Sequence, residues 1–185
     1  MTRQGNRLKI RIADITEKAK LLESDDKVAF YPSLLQAQDA GECQFISPVA
    51  VSLSVAREFD HFRVQGNVGT TVRLTCSRCL TEFTSELSSN FTIFYTKADT
   101  AQPEDEVELA EQDLVSATYS GDEIDFSDEV AEQILLEIPY KPLCSEACNG
   151  LCASCGTDLN ISDCTCNKSA VSMAFSSLQG LKVIH

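Results

Sequence analysis

At 185 residues, with 43% hydrophobic and 23% charged side chains, the chain is long enough to bury a core without covalent staples, so its nine cysteines must serve a local purpose. The net charge of −13 excludes a phosphate-binding surface spread over the whole chain, because affinity for nucleic acid rests on clustered Lys and Arg that release counterions. A local basic patch stays open.

The opening stretch "MTRQGNRLKIRIADITEKAK" has no apolar run of signal-peptide length, and nowhere do about eighteen apolar residues follow one another, so a soluble cytoplasmic protein is expected. Disulfides rarely persist in that reducing compartment, and an odd cysteine count would leave a thiol over. "LKIRI" and "KVAFY" read as two short strands around a short helix or loop. Cys43 lies apart from the other cysteines and reads as a buried small apolar side chain.

Residues 46–96 read as an antiparallel meander. Val49, Val51, Leu53 and Val55 alternate with small or polar residues, as do Val68, Thr70, Val72, Leu74 and Cys76. "FDHFRVQGN" between them is expected to be a separate strand ending at a turn on Gly66 and Asn67. "LTEFTSELSSNFTIFYT" follows as a long strand. Cys76 and Cys79 in "CSRC" then sit at a hairpin tip.

Residues 99–113 carry seven acids and a proline and are expected to form an exposed connection. They open a span, from Lys97 to Lys141, that has no basic residue and holds fourteen of the 28 carboxylates. Any electrostatic partner of that span is a basic one. After a strand in "LVSATYS" comes a helix in "DFSDEVAEQILLEIP", with Ser127 as N-cap and an apolar face of Val130, Ile134, Leu135 and Ile138. Pro139 stops it. The tail "SAVSMAFSSLQGLKVIH" reads as a short amphipathic helix bringing Val171, Phe175 and Leu178 together.

The remaining cysteines crowd into "CSEACNGLCASCGTDLNISDCTC". Thiolates are soft ligands suited to Zn²⁺, and two Cys separated by two residues on a tight turn can reach one tetrahedral centre. "CASCG" supplies Cys152 and Cys155, with Gly156 free to take positive φ. Two partitions are open. In the preferred one, Cys152, Cys155, Cys164 and Cys166 form a local site, while Cys144 and Cys148 join Cys76 and Cys79. In the other, Cys144, Cys148, Cys152 and Cys155 group together and Cys164 and Cys166 complete the hairpin site. Iron–sulfur ligation remains a rival because thiolates serve both metals. Cys148, Cys152 and Cys155 also share the spacing of radical S-adenosylmethionine enzymes, but those need a large barrel and only thirty residues follow the motif. A thioredoxin-like pair would need to open a helix, which "CSRC" between strands does not offer.

Catalysis finds little support. The two histidines are His61, in an expected strand, and His185. A zinc held by cysteine alone reads as structural rather than catalytic.

"CSRCL" at a strand end, an acidic stretch, a helix ending in "LLEIP", then "PLCSEACNGLCASCGTDLN" and "CTC" together resemble the YceD family of large ribosomal RNA subunit accumulation proteins. The resemblance implies a nonenzymatic role in accumulation of large-subunit ribosomal RNA, through its synthesis, processing or stability. Family members often lie beside the gene for a small basic ribosomal protein of the large subunit, which implies such a protein as partner; ribosomal RNA is the second choice. The tail here is nearly neutral, where many relatives end in a basic or aromatic one.

The expected protein is α+β, mainly antiparallel sheet with a packed helix. Residues 1–143 would form the β-rich domain with its acidic loop and helix, and residues 144–185 a cysteine-rich zinc-binding module packed on it. One or two structural zinc ions are expected. The rival reading is a thiol-based redox sensor or zinc-regulated adaptor using the same cysteines reversibly.

Overall fold

A computed structural model describes residues 8–98 and 116–166. Two long strands organise it. β4 (Val49–Glu58) and β5 (His61–Thr75) pair antiparallel through a two-residue turn at Phe59 and Asp60, and β6 (Glu82–Lys97) pairs antiparallel along the other side of β5. The full six-stranded sheet runs β2 (Lys20–Asp26), β4, β5, β6, β7 (Ser116–Tyr119), with β3 (Gln44–Phe45) beside the far half of β5. β1 (Lys9–Arg11) and β8 (Glu123–Asp125) form a separate antiparallel pair.

The alternation along β4 and β5 is what makes the core. Val49, Val51, Leu53 and Val55 are sealed from solvent, as are Phe62, Val64, Val68, Val72 and Leu74. Each contributes about 1.5–3 kcal/mol of burial. The covering helix α2 (Ser127–Leu136) buries Val130, Ala131 and Ile134 on this face; the expected Leu135 and Ile138 are half-buried against it, and Ile138 lies past the helix end, which comes before Pro139. Its neighbour α1 (Pro32–Asp39) buries Leu34 and Ala37. Pro32 presets the first turn of α1, and Gly41, at φ 78°, lets the chain leave it.

Several expectations need correction. The proposed turn at Gly66 and Asn67 does not exist, and His61–Thr75 is one continuous strand. Gly66 is there because a Cβ at this position would run into the ring of Phe91 on β6. The glycine answers a cross-strand aromatic rather than a turn. "KVAFY" holds a 3-10 turn at Val28–Phe30, not a strand, since Pro32 and the lack of alternation favour a bend into α1. β7 pairs parallel with β6, so the sheet is mixed rather than a pure meander. Ser127 is the first residue of α2 rather than its cap. The cap position is Phe126, which makes no side-chain cap bond, and Asp125 before it accepts hydrogen bonds from the Ser127 N–H (3.1 Å) and hydroxyl (2.6 Å).

Cys43 is buried, at 6% exposure, and burial, followed by the charge of Glu42, pushes its thiol above the usual range. The acidic connection at 99–113 and the tail helix with Val171, Phe175 and Leu178 lie outside the described residues. Among the described residues no helix is long and apolar enough to cross a membrane.

Candidate metal centre

The even-numbered positions of β5 face the core, and that phase continues one step past the strand to Cys76, which is fully buried. The chain then turns back towards β6. Cys76 N–H donates to the Thr81 carbonyl at 2.9 Å, and Leu80 N–H to the Cys76 carbonyl at 3.0 Å. Leu80 takes φ 62° to close the turn. A second turn repeats this pattern. Cys152 N–H donates to the Thr157 carbonyl and Gly156 N–H to the Cys152 carbonyl, both at 2.8 Å, with Gly156 at φ 74°. Each turn thus aims the sulfurs of a C-x-x-C pair to one side.

The eight candidate ligands fall into two groups of four: Cys76, Cys79, Cys144 and Cys148, and Cys152, Cys155, Cys164 and Cys166. This is the preferred of the two partitions read from the sequence. Within each group every pair of sulfurs lies within 4.8 Å. In the first, Cys76 Sγ is 3.8 Å from Cys148 Sγ, and Cys79 Sγ is 3.6 Å from Cys144 Sγ. A tetrahedral ion bound to four sulfurs at about 2.3 Å requires sulfur–sulfur edges of about 3.8 Å. The first group fits that demand, and either group can hold a metal ion.

The two groups differ in their surroundings. Cys76, Cys79 and Cys148 are buried against Phe83, Leu143 and Leu151, with only Cys144 exposed. In the second group Cys152 is buried, Cys164 and Cys166 are half-buried and Cys155 is exposed. The electrostatics run in parallel. Backbone N–H donation from Cys79 and its neighbours lowers Cys76 to about 6, and donation from Cys155 and Ser154 does the same for Cys152. Partner sulfurs go the other way. The Cys79 sulfur and burial push Cys144 up to about 12, and the Cys155 sulfur and burial push Cys166 to about 12. Four thiols this close cannot all ionise without a cation between them.

Three residues that sequence reasoning did not single out support the first group. Arg78, inside the hairpin turn, donates from Nη1 to the carbonyls of Cys148 (2.9 Å) and Glu146 (3.3 Å), and its own carbonyl accepts from Leu151 N–H at 3.0 Å. Gly150, at φ 72°, lets the backbone approach: a Cβ there would lie 3.1 Å from the Arg78 carbonyl oxygen. Asn160 braces the Cys148 end of the first group, with its Nδ2 donating to Cys148 Sγ at 3.4 Å and its Oδ1 accepting from Asn149 N–H at 2.7 Å. The Asn149–Gly150 dipeptide, a turn signal, was visible in the sequence; the roles of Arg78 and Asn160 depend on contacts that spacing does not encode. Ser77 N–H adds a bond to the Pro142 carbonyl at 2.8 Å.

Of the two histidines, His61 packs edge-on against Phe94 and lies beside Asp60 and Glu58, away from either cysteine group. His185 is outside the described residues.

Comparison with known proteins gives a consistent picture. Residues 64–182 match the family described as large ribosomal RNA subunit accumulation protein YceD. A chloroplastic large ribosomal RNA subunit accumulation protein YCED homolog 1 of Arabidopsis thaliana is 27% identical over 74% of this chain and 49% of its own length. The Zea mays homolog 1 is 29% identical over 69% of this chain and 52% of its own. A Mycobacterium leprae protein described as uncharacterized is 28% identical over 61% of this chain and 50% of its own. The chain thus spans about half the length of these curated relatives. No solved structure matches it.

Proposed function

The chain belongs to the YceD family, and from that premise we propose that it is a nonenzymatic factor for the accumulation of large-subunit ribosomal RNA, with structural zinc in its cysteine cages. The family match carries the biological half of this reading. Its two plant relatives are named for large ribosomal RNA subunit accumulation, which supports a part in ribosome biogenesis.

The all-sulfur donor sets carry the chemical half. Cys76, Cys79, Cys144 and Cys148 would hold one ion and Cys152, Cys155, Cys164 and Cys166 the other. Zinc supplies a redox-silent cross-link there, and four thiolates leave it no open position for substrate. The chain's own residues do the rest. Arg78 and Gly150 dock the C-terminal segment on the hairpin tip, and Asn160 orients Cys148. A rigid acidic body results, whose partner by charge is a basic protein of the large subunit, with RNA second.

Depleting the protein and measuring the ratio of large- to small-subunit ribosomal RNA tests the role. The ratio is expected to fall; an unchanged ratio under several growth conditions would sink the proposal. The exposure of Cys155 and half-exposure of Cys164 and Cys166 favour one competing reading, a thiol-based redox sensor or zinc-regulated adaptor. Mild peroxide separates them: a sensor releases metal and changes partners, whereas a structural protein keeps both.

A further inference from the structure

β6 pairs with β5 from Glu82 to Tyr95 along its inner side, whereas among the described residues its outer side is paired over a short stretch only. It has 16 residues, and its outer edge meets β7 only at Phe94, Tyr95, Thr96 and Lys97. Among the described residues, no strand pairs with the outer edge of residues 82–93, and no turn or loop backbone hydrogen bond falls on it. About every second residue there turns its N–H and C=O outward.

Proteins usually blunt such an edge with lysine, proline or a bulge. Residues 82–93 contain neither Lys nor Pro. Their register against β5 is also unbroken, from Glu82 opposite Thr75 to Ile93 opposite Val64. Among the described residues the edge is therefore free of bulges and of strand partners.

We infer that this edge of β6 takes up an extended basic segment of a partner protein as an added strand, with apolar and cationic side chains alternating. Strand addition satisfies the outward backbone groups, and the two faces of β6 select the side chains. On the face shared with α2, Phe83, Phe91 and Ile93 are only half-buried and offer apolar contact to every second residue of the incoming strand. On the open face stand Glu82, Thr84, Glu86, Ser88 and Asn90, all exposed. Glu82 lies 4.0 Å from Arg73, while Glu86 makes no salt bridge among the described residues. That face offers carboxylate to Lys or Arg. The inference takes its class of partner from the proposal above, that a basic protein is bound.

The probe is a short peptide alternating valine with lysine, added to the full chain at low salt, with amide hydrogen exchange as the readout. Protection is expected to appear at residues 82–93, and a peptide of the same composition with its valines and lysines in separate blocks should give none. Glu86→Lys combined with Ser88→Lys reverses the charge of the open face at exposed positions. It should weaken binding roughly tenfold and leave the circular dichroism spectrum unchanged. Absent protection, protection elsewhere, or equal protection by the blocked peptide would overturn the inference. So would an edge already protected without peptide in a particle of doubled mass, which would make a second copy the occupant. The ribosomal RNA ratio and the exchange map fail independently, so loss of one reading is distinguishable from loss of the other.

Discussion

Replacing Cys148 with serine should destabilise the whole fold more than replacing any cysteine of the second group. Cys148 and Cys76 are 72 positions apart, so an ion between them closes a long loop, and cross-links of long loops restrict the unfolded chain most. Applying the chain-entropy relation for a cross-link to that separation gives about 4 kcal/mol. The second group closes loops of a dozen residues or so, and the logarithm makes its contribution roughly a third smaller. For a chain of this size about 4 kcal/mol corresponds to a fall of roughly 8–16 °C in Tm. The assay is urea unfolding of the zinc-loaded protein and of Cys148→Ser and Cys164→Ser, with metal content measured on each. Each variant should lose one ion, and Cys148→Ser should show the lower midpoint. If Cys164→Ser costs as much, or if Cys148→Ser keeps two ions at unchanged stability, the reasoning about a long-range clip is wrong.

Three further outcomes follow from particular contacts. Gly66→Ala should cost about 1–3 kcal/mol by overpacking against Phe91, and pairing it with Phe91→Leu should recover part of that in a double-mutant cycle by denaturant titration. Gly150→Ala places a methyl against the Arg78 carbonyl at positive φ, and a loss of about 1–3 kcal/mol is expected by the same titration. In Asp125, burial opposes ionisation, but the Ser127 hydroxyl and N–H and the Lys9 ammonium outweigh it and hold the carboxyl below the usual range. Its contribution is therefore present above the ordinary carboxylate range and lost as pH falls through the lowered value. Asp125→Ala should cost about 0.5–1.5 kcal/mol at neutral pH, and the difference from the parent should shrink on acidification; a difference independent of pH would contradict the role of these bonds.

The parts of this protein that were legible in its sequence are those where one local pattern has one cause. Val49 to Val55 alternate because one sheet face is covered, and Val130, Ile134 and Leu135 recur because one helix face covers it. The second cysteine group was legible because Cys152, Cys155, Cys164 and Cys166 are near in sequence and reach each other on short turns, which left Cys144 and Cys148 for the hairpin pair. Gly66 misled because a glycine beside an asparagine looks like a turn whether its reason is local or lies across the sheet at Phe91. β2 was missed because Lys20–Asp26 runs along a sheet edge with only Ser24 fully buried, and so shows no apolar alternation. Arg78 and Asn160 could not be read at all: Arg78 finds its partners in a distant segment, at Glu146 and Cys148, and Asn160 finds its own across a turn, at Cys148 and Asn149.

The hairpin that carries Cys76 and Cys79 is complete in the chain long before Cys144 and Cys148 are made. At about 5–20 residues per second of synthesis, the 51 positions from Lys97, where β6 ends, to Cys148 take roughly 3–10 seconds. During that interval the ribosome holds a finished tip with two thiols and no second pair to meet them. The metal-binding half that is buried deepest in the folded protein is thus the one that waits longest for its partners during synthesis, until the segment with Cys144 and Cys148 arrives to close it.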